Sequence, residues 1–169
     1  MNRKTGRRSK TPAILAVCLL LISACGSAGS PGNEGGGAFS LDVPALGEKL
    51  YQELEFRDRL EELDASVVCA LLGVEEGDIE AQKNYFSSGA TAEEIIVFKA
   101  AGSEAADALR QALEARLADQ MEIYASYAPE EVGYLKGAVL EDKGEYLVFC
   151  VAADSAAAKK LIDDAFSDR

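Results

Sequence analysis

The run Glu94 to Ala100, Glu-Ile-Ile-Val-Phe-Lys-Ala, constrains this chain more than any other stretch. Its β-branched and aromatic residues follow one another without a break, over a length that suits a strand. A buried strand satisfies both. Ser87-Ser88-Gly89-Ala90-Thr91 supplies a turn before it, and Ile79 to Ser87 reads as its partner. Alternation places Ile79, Ala81, Lys83 and Tyr85 on one side of that partner and Phe86 on the other, making a hairpin. A second hairpin is predicted from Leu135–Glu141 and Glu145–Ala152, joined at Asp142-Lys143-Gly144, where glycine can take a positive φ.

Helical signals separate and flank these pairs. Asp42 is a suitable N-cap for a helix running to about Phe56, with Val43, Leu46, Leu50 and Leu54 on one stripe. Asp64 to Leu72 reads either as a short helix stopped by Gly73 or as a strand, because Val67-Val68-Cys69 is β-friendly. The longest helix starts at Gly102-Ser103, with Ser103 as N-cap. It repeats Leu109, Ala112, Leu113, Leu117, Met121, Tyr124 and Ala128 at three and four residues, and Pro129 ends it. Asp154-Ser155 caps a closing helix with Leu161, Ile162, Ala165 and Phe166 inward. The predicted order is α(α)ββαββα: an α+β domain, an antiparallel sheet of about four strands with helices packed on one face. Residues 39–169 suffice for one such domain with a core, and not for two.

The N-terminal residues carry a different kind of information. Arg3, Lys4, Arg7, Arg8 and Lys10 form a basic start, followed by the apolar run Pro12 to Ile22. A stable spanning helix needs about 20 apolar residues, so this run suits a secretory signal rather than an anchor. Arg7-Arg8 is followed by Ser9-Lys10-Thr11, which lacks the apolar residues of a twin-arginine signal. Ile22-Ser23-Ala24-Cys25 then resembles the bacterial lipobox in every position. That resemblance implies a diacylglyceryl group on the Cys25 thiol, cleavage by a signal peptidase between Ala24 and Cys25, and palmitate-type acyl chains holding the product at a cell membrane. Two acyl chains hold firmly where one binds marginally. Residues 1–24 would be the signal peptide, taking Cys18 with them. Residues 25–38, with six glycines between Gly26 and Ala38, would be a tether with an average reach of roughly 20 Å.

Charge divides along the same boundary. The whole chain carries −12, but removing the first 24 residues leaves 12 basic against 29 acidic residues, a net of −17. Such a domain repels nucleic acid and anionic headgroups, so neither is expected as a direct partner.

The chain has no His and no Trp, which removes the commonest general base, the commonest metal ligand and the best sugar-stacking side chain. No catalytic residue, metal ligand or cofactor site is expected. Cys69 and Cys150 lie in apolar runs without a neighbouring cation, and read as two inert buried thiols or as a disulfide. The acidic pairs Glu61-Glu62, Glu75-Glu76, Glu93-Glu94, Glu130-Glu131 and Asp163-Asp164 sit at element ends, where solvated charge is the ordinary outcome. Glu75-Glu76-Gly77-Asp78 has the composition of a weak Ca²⁺ turn but the spacing of no established loop. Tyr124, Tyr127 and Tyr134 gather around Pro129, either lining a groove or packing the helix end onto the second hairpin. Lys83, Asn84 and Tyr85 carry the same ambiguity.

Over roughly residues 41–166 the domain resembles DUF4358, a family of uncharacterised lipoproteins of Firmicutes. The residues that suggest it are Leu41-Asp42-Val43-Pro44-Ala45-Leu46, the Glu-Glu-Ile-Ile-Val-Phe-Lys strand from Glu93, the Ala/Leu helix with its tyrosines, and Gly144 with Tyr146 to Phe149. The resemblance implies an envelope lipoprotein and carries over no activity and no site residue. The expected function is a non-enzymatic binding or accessory module on the extracytoplasmic face of a Gram-positive membrane. Its partner would be an envelope protein or a small ligand. The alternative is a carboxylate-dependent enzyme acting on a wall polymer, which requires two acids converging in a cleft.

Overall fold

The structure is a computed structural model and describes residues 39–167. The lipobox residues Ile22, Ser23, Ala24 and Cys25, the signal segment and the tether lie outside the described residues. Helix α1 (Val43–Glu53) begins where expected: the Asp42 carboxylate accepts the Ala45 N–H at 3.0 Å, and Pro44 falls in the first turn, where its missing donor costs nothing. Gly47 lies on its inner face because a Cβ there would sit 2.8 Å from Cβ of Lys83. After an irregular stretch, Asp64 opens α2 (Ala65–Leu72), the helical option of the two. Gly73 closes it in the left-handed region at φ 68°, with the Val74 N–H reaching back to the Cys69 carbonyl.

Strands β1 (Ile79–Phe86) and β2 (Glu94–Ala100) form the first hairpin. Helix α3 (Ser103–Tyr127) follows, with Gly102 rather than Ser103 in the N-cap position. A five-residue helix that the sequence did not announce, α4 (Glu131–Leu135), shortens the following strand. The second hairpin is β3 (Val139–Lys143) and β4 (Tyr146–Val151), turning at Gly144 with φ 64°. Helix α5 (Ser155–Ser167) closes the domain, its Ala157 N–H capped by Asp154 at 2.9 Å. The strands are all antiparallel in the order β1-β2-β4-β3. The α+β class and the helix–hairpin alternation thus stand as read from the sequence.

The helices, however, cover both faces of the sheet. Ile95, Val97, Val148 and Cys150 join α1 and α5 in one core, while Ile96, Phe98, Leu147, Phe149 and Val151 join α3 in a second. The physical reason is in the central strands. Every residue of β4 and all but Lys99 of β2 are buried, so neither strand has the polar face that a one-sided antiparallel sheet turns to water. A bulge at Glu80, between the pairs Ile79–Ala100 and Ala81–Lys99, also splits the side predicted for β1. Ala81 and Tyr85 face α1, whereas Ile79 turns to the α3 side.

The described chain enters through an aromatic corner. The Phe39 ring meets Tyr146 of β4 edge-on at 5.4 Å and Phe166 of α5 at 5.9 Å. Lys143 lies over the same ring at 3.9 Å and donates to the Phe166 carbonyl at 2.6 Å. No helix among the described residues is long and apolar enough to cross a membrane.

Candidate functional site

Three of the acids read as solvated charge at element ends are buried: Glu93, Glu94 and Glu131. An isolated carboxylate does not survive in that environment, so each must be paired. Two arginines do the pairing, at one end of the sheet.

The first network forms where the irregular stretch after α1 crosses the loop between β1 and β2. The Glu93 carboxylate accepts the Arg57 N–H at 3.0 Å, the Asp58 N–H at 3.1 Å, the Thr91 hydroxyl at 3.0 Å and Arg57 Nε at 3.1 Å. The two remaining guanidinium nitrogens of Arg57 grip Glu131 of α4 in a fork at 2.6 and 2.7 Å, and Glu131 also accepts the Ala92 N–H at 2.9 Å. Tyr134, one turn along α4, stacks 3.8 Å from the guanidinium carbon. Arg57 holds the Glu131 carboxyl below the usual carboxylate range, outweighing the burial that would raise it. Asp58 ties down the loop from outside by accepting the Ser88 N–H and hydroxyl at 2.9 and 2.6 Å.

The second network lies on the α3 side of β2. Arg116 Nε donates to Glu94 at 2.8 Å, with Gln120 adding a longer bond of 3.3 Å and Phe86 lying 5.3 Å beneath the guanidinium. Here the balance reverses. Burial pushes the Glu94 carboxyl up, and the arginine only partly opposes it.

The tyrosines resolve as packing. Tyr124 is buried and donates to the Thr91 carbonyl, Tyr127 donates to the Gly89 carbonyl at 2.9 Å, and Tyr134 covers Arg57. Burial raises the Tyr124 hydroxyl pKa, keeping it a donor. Likewise Asn84 exchanges two hydrogen bonds with the Leu63 backbone at 2.9 and 3.1 Å. Lys83 pairs with Glu62 at 2.6 Å, and the Tyr85 hydroxyl donates to Glu48 at 2.5 Å. Glu75 and Asp78 cap a single 3-10 turn, Glu76–Asp78, with their side chains. Cys69 and Cys150 are both free and buried, so the disulfide alternative is not formed. Cys150 points into the α1/α5 core while α2, which carries Cys69, packs against α3. Burial pushes the Cys150 thiol up to about 12, far from nucleophilic service.

One surface borders the second network, sharing Arg116 and Gln120 with it. Helix α2, Ala-Ser-Val-Val-Cys-Ala-Leu-Leu, has no charged residue, and it exposes Val67 and Leu71 at 48% and 47%. Across a cavity of about 250 Å³ from Leu71, α3 presents Ile123, 55% exposed, beside Ala112 and Ala115. Isolated exposed apolar residues are ordinary; two, Leu71 and Ile123, lining one groove in an acidic protein, with Val67 exposed nearby on α2, are a candidate contact surface.

Chemically, the arginine networks clamp. Their acids are engaged by arginines, with backbone N–H groups added at Glu93 and Glu131, and none of the three lines the α2–α3 groove. Sequence reasoning missed them because the partners of Glu93 and Glu131 lie far away in the chain and no local spacing links them to Arg57. The available signal was Glu94, which opens an otherwise apolar strand.

No curated protein and no solved structure matches the chain. Residues 52–152, from the end of α1 to just past β4, match a family described as a domain of unknown function, DUF4358. That span holds both arginine networks and the α2–α3 groove, and the chain belongs to this family.

Proposed function

We propose that this protein is a membrane-anchored lipoprotein of the Gram-positive envelope, tethered through a lipid on Cys25, whose folded domain is a non-enzymatic binding or accessory module. The observation that carries the binding role is the uncharged outward face of α2, opposed by Ile123 on α3. The anchor rests on the Ile22-Ser23-Ala24-Cys25 match. The carboxylate-enzyme reading gains no support, since the buried acids are occupied by Arg57 and Arg116 rather than converging on an open cleft.

Mass spectrometry of the mature N-terminus tests the anchor. The expected species starts at Cys25 with a diacylglyceryl adduct, and Cys25→Ala moves the protein out of the membrane fraction. An unlipidated N-terminus on membrane-bound protein would overturn it. For the binding role, a photocrosslinking residue placed at Ile123 of the membrane-bound chain is expected to trap a specific envelope component. Turnover of a wall polymer by the purified chain, lost on Glu93→Gln, would replace this reading with the enzymatic one.

A further inference from the structure

We propose that the groove between α2 and α3 receives a cationic amphipathic helix of a partner protein, an inference that rests on the binding-module reading above. A groove between two helices is the shape that the side-chain ridge of a third helix fills, and such docking uses apolar anchors spaced at three and four residues. Leu71 on one wall and Ile123 on the other supply exposed apolar surface for such anchors. Two small side chains on α3, Ala112 and Ala115, also line the groove and leave room for an incoming helix to approach.

Charge selects the sign of the occupant. Arg116 is the sole cation among the residues lining the groove, and it is already committed to Glu94, with its side chain 14% exposed. The uncommitted charges are acidic: Asp119 lines the groove and Glu122 follows it on α3, both exposed. Lys or Arg flanking an apolar stripe answers both the apolar walls and the exposed acids.

The same charges argue against other occupants. A second mature copy brings another chain of net charge −17 and would set one acidic rim against an identical one in a two-fold contact. An anionic bilayer is repelled by the same rim.

The test uses the full chain and a designed peptide of about 18 residues, five helical turns, with leucines on one face and lysines on the other. Isothermal titration is expected to show saturable one-to-one binding that weakens with salt. Leu71→Ser with Ile123→Ser is expected to weaken it by at least about tenfold, and Asp119→Asn with Glu122→Gln by about threefold. Both positions of the apolar variant are exposed, so an unchanged circular dichroism spectrum and melting curve will show that its fold is intact. The proposal is overturned by equal binding of a leucine/glutamate peptide, or by affinity that ignores both double variants. It is also overturned by sedimentation showing that the chain alone dimerises through these positions, or by capture of phosphatidylglycerol vesicles through them. Crosslinking from Ile123 separates the two levels of failure. A trapped partner without a cationic helix sinks only the occupant proposed here, and no trapped partner sinks the binding-module reading as well.

Discussion

The two arginine networks use the same chemistry and reach opposite balances. Arg57 engages two carboxylates with all three guanidinium nitrogens, and backbone N–H groups from residues 57, 58 and 92 with the Thr91 hydroxyl supply the rest. Arg116 engages one carboxylate that receives no comparable backbone support, only the longer bond from Gln120. In the first, pairing outweighs desolvation and Glu131 is held ionised; in the second, desolvation outweighs pairing at Glu94. Burial alone therefore does not set the state of an acid. Three donors reach each carboxylate, so the balance turns on which influence is larger: the Arg57 hydrogen bonds at Glu131, desolvation at Glu94.

The largest expected effect breaks the first network. Arg57→Met strands Glu93 and Glu131 without their cation and is expected to cost about 3–5 kcal/mol in urea unfolding. Arg57→Lys should recover little of that, because an ammonium cannot fork onto Glu131 while reaching Glu93. Arg116→Met should cost less, about 1–3 kcal/mol, since it strands one carboxylate rather than two and burial already eases protonation of Glu94. Equal losses for the two methionine variants would erase the distinction.

The pH dependence sharpens it, with opposite signs. Glu131 has a folded pKa below its unfolded value of about 4.3, so its stabilisation is present above that value and is lost as pH falls through the folded pKa. The stability gap between wild type and Glu131→Gln should shrink in acid. Glu94 has a folded pKa above about 4.3, so its contribution is greatest below that value and declines as pH rises through the folded pKa. Measured across the same range, the gap between wild type and Glu94→Gln should move in wild type's favour towards acid. The smallest effect is expected at Tyr134. Its replacement by Leu removes the stacked ring from Arg57 for about 0.5–1 kcal/mol, while Tyr127→Phe, losing one exposed hydrogen bond, should stay within about 0.5–1 kcal/mol in the same assay.

Local signals carried most of the fold. Asp42, Asp154, Gly73 and Gly144 cap or turn as their side chains and backbone freedom dictate, and the runs around Val97 and Val148 become the central strands. What the sequence hid was non-local. Two unbroken apolar strands require a cover on each face, but they do not say which helix goes where. Helix α4 is a single short turn set by the docking of Glu131 onto Arg57 rather than by a period of its own. The candidate contact surface was half legible. The lack of charge in Ala65–Leu72 is plain in the sequence, but the same residues read equally as core until Val68 and Cys69 turn inward and Val67 and Leu71 turn out.

The aromatic corner at Phe39 bears on how the fold carries tension. A helix that begins a domain is usually the first element to peel when the chain ahead of it is pulled. Here the chain ahead of α1 is wedged between Tyr146 of a central strand and Phe166 in the last turn of α5. Load arriving through the residues before Phe39 is delivered into the sheet and the closing helix together, before it reaches α1. Force spectroscopy should accordingly find a sharp rupture at this corner, removed by Phe39→Ala, in place of a gradual unzipping from the amino end.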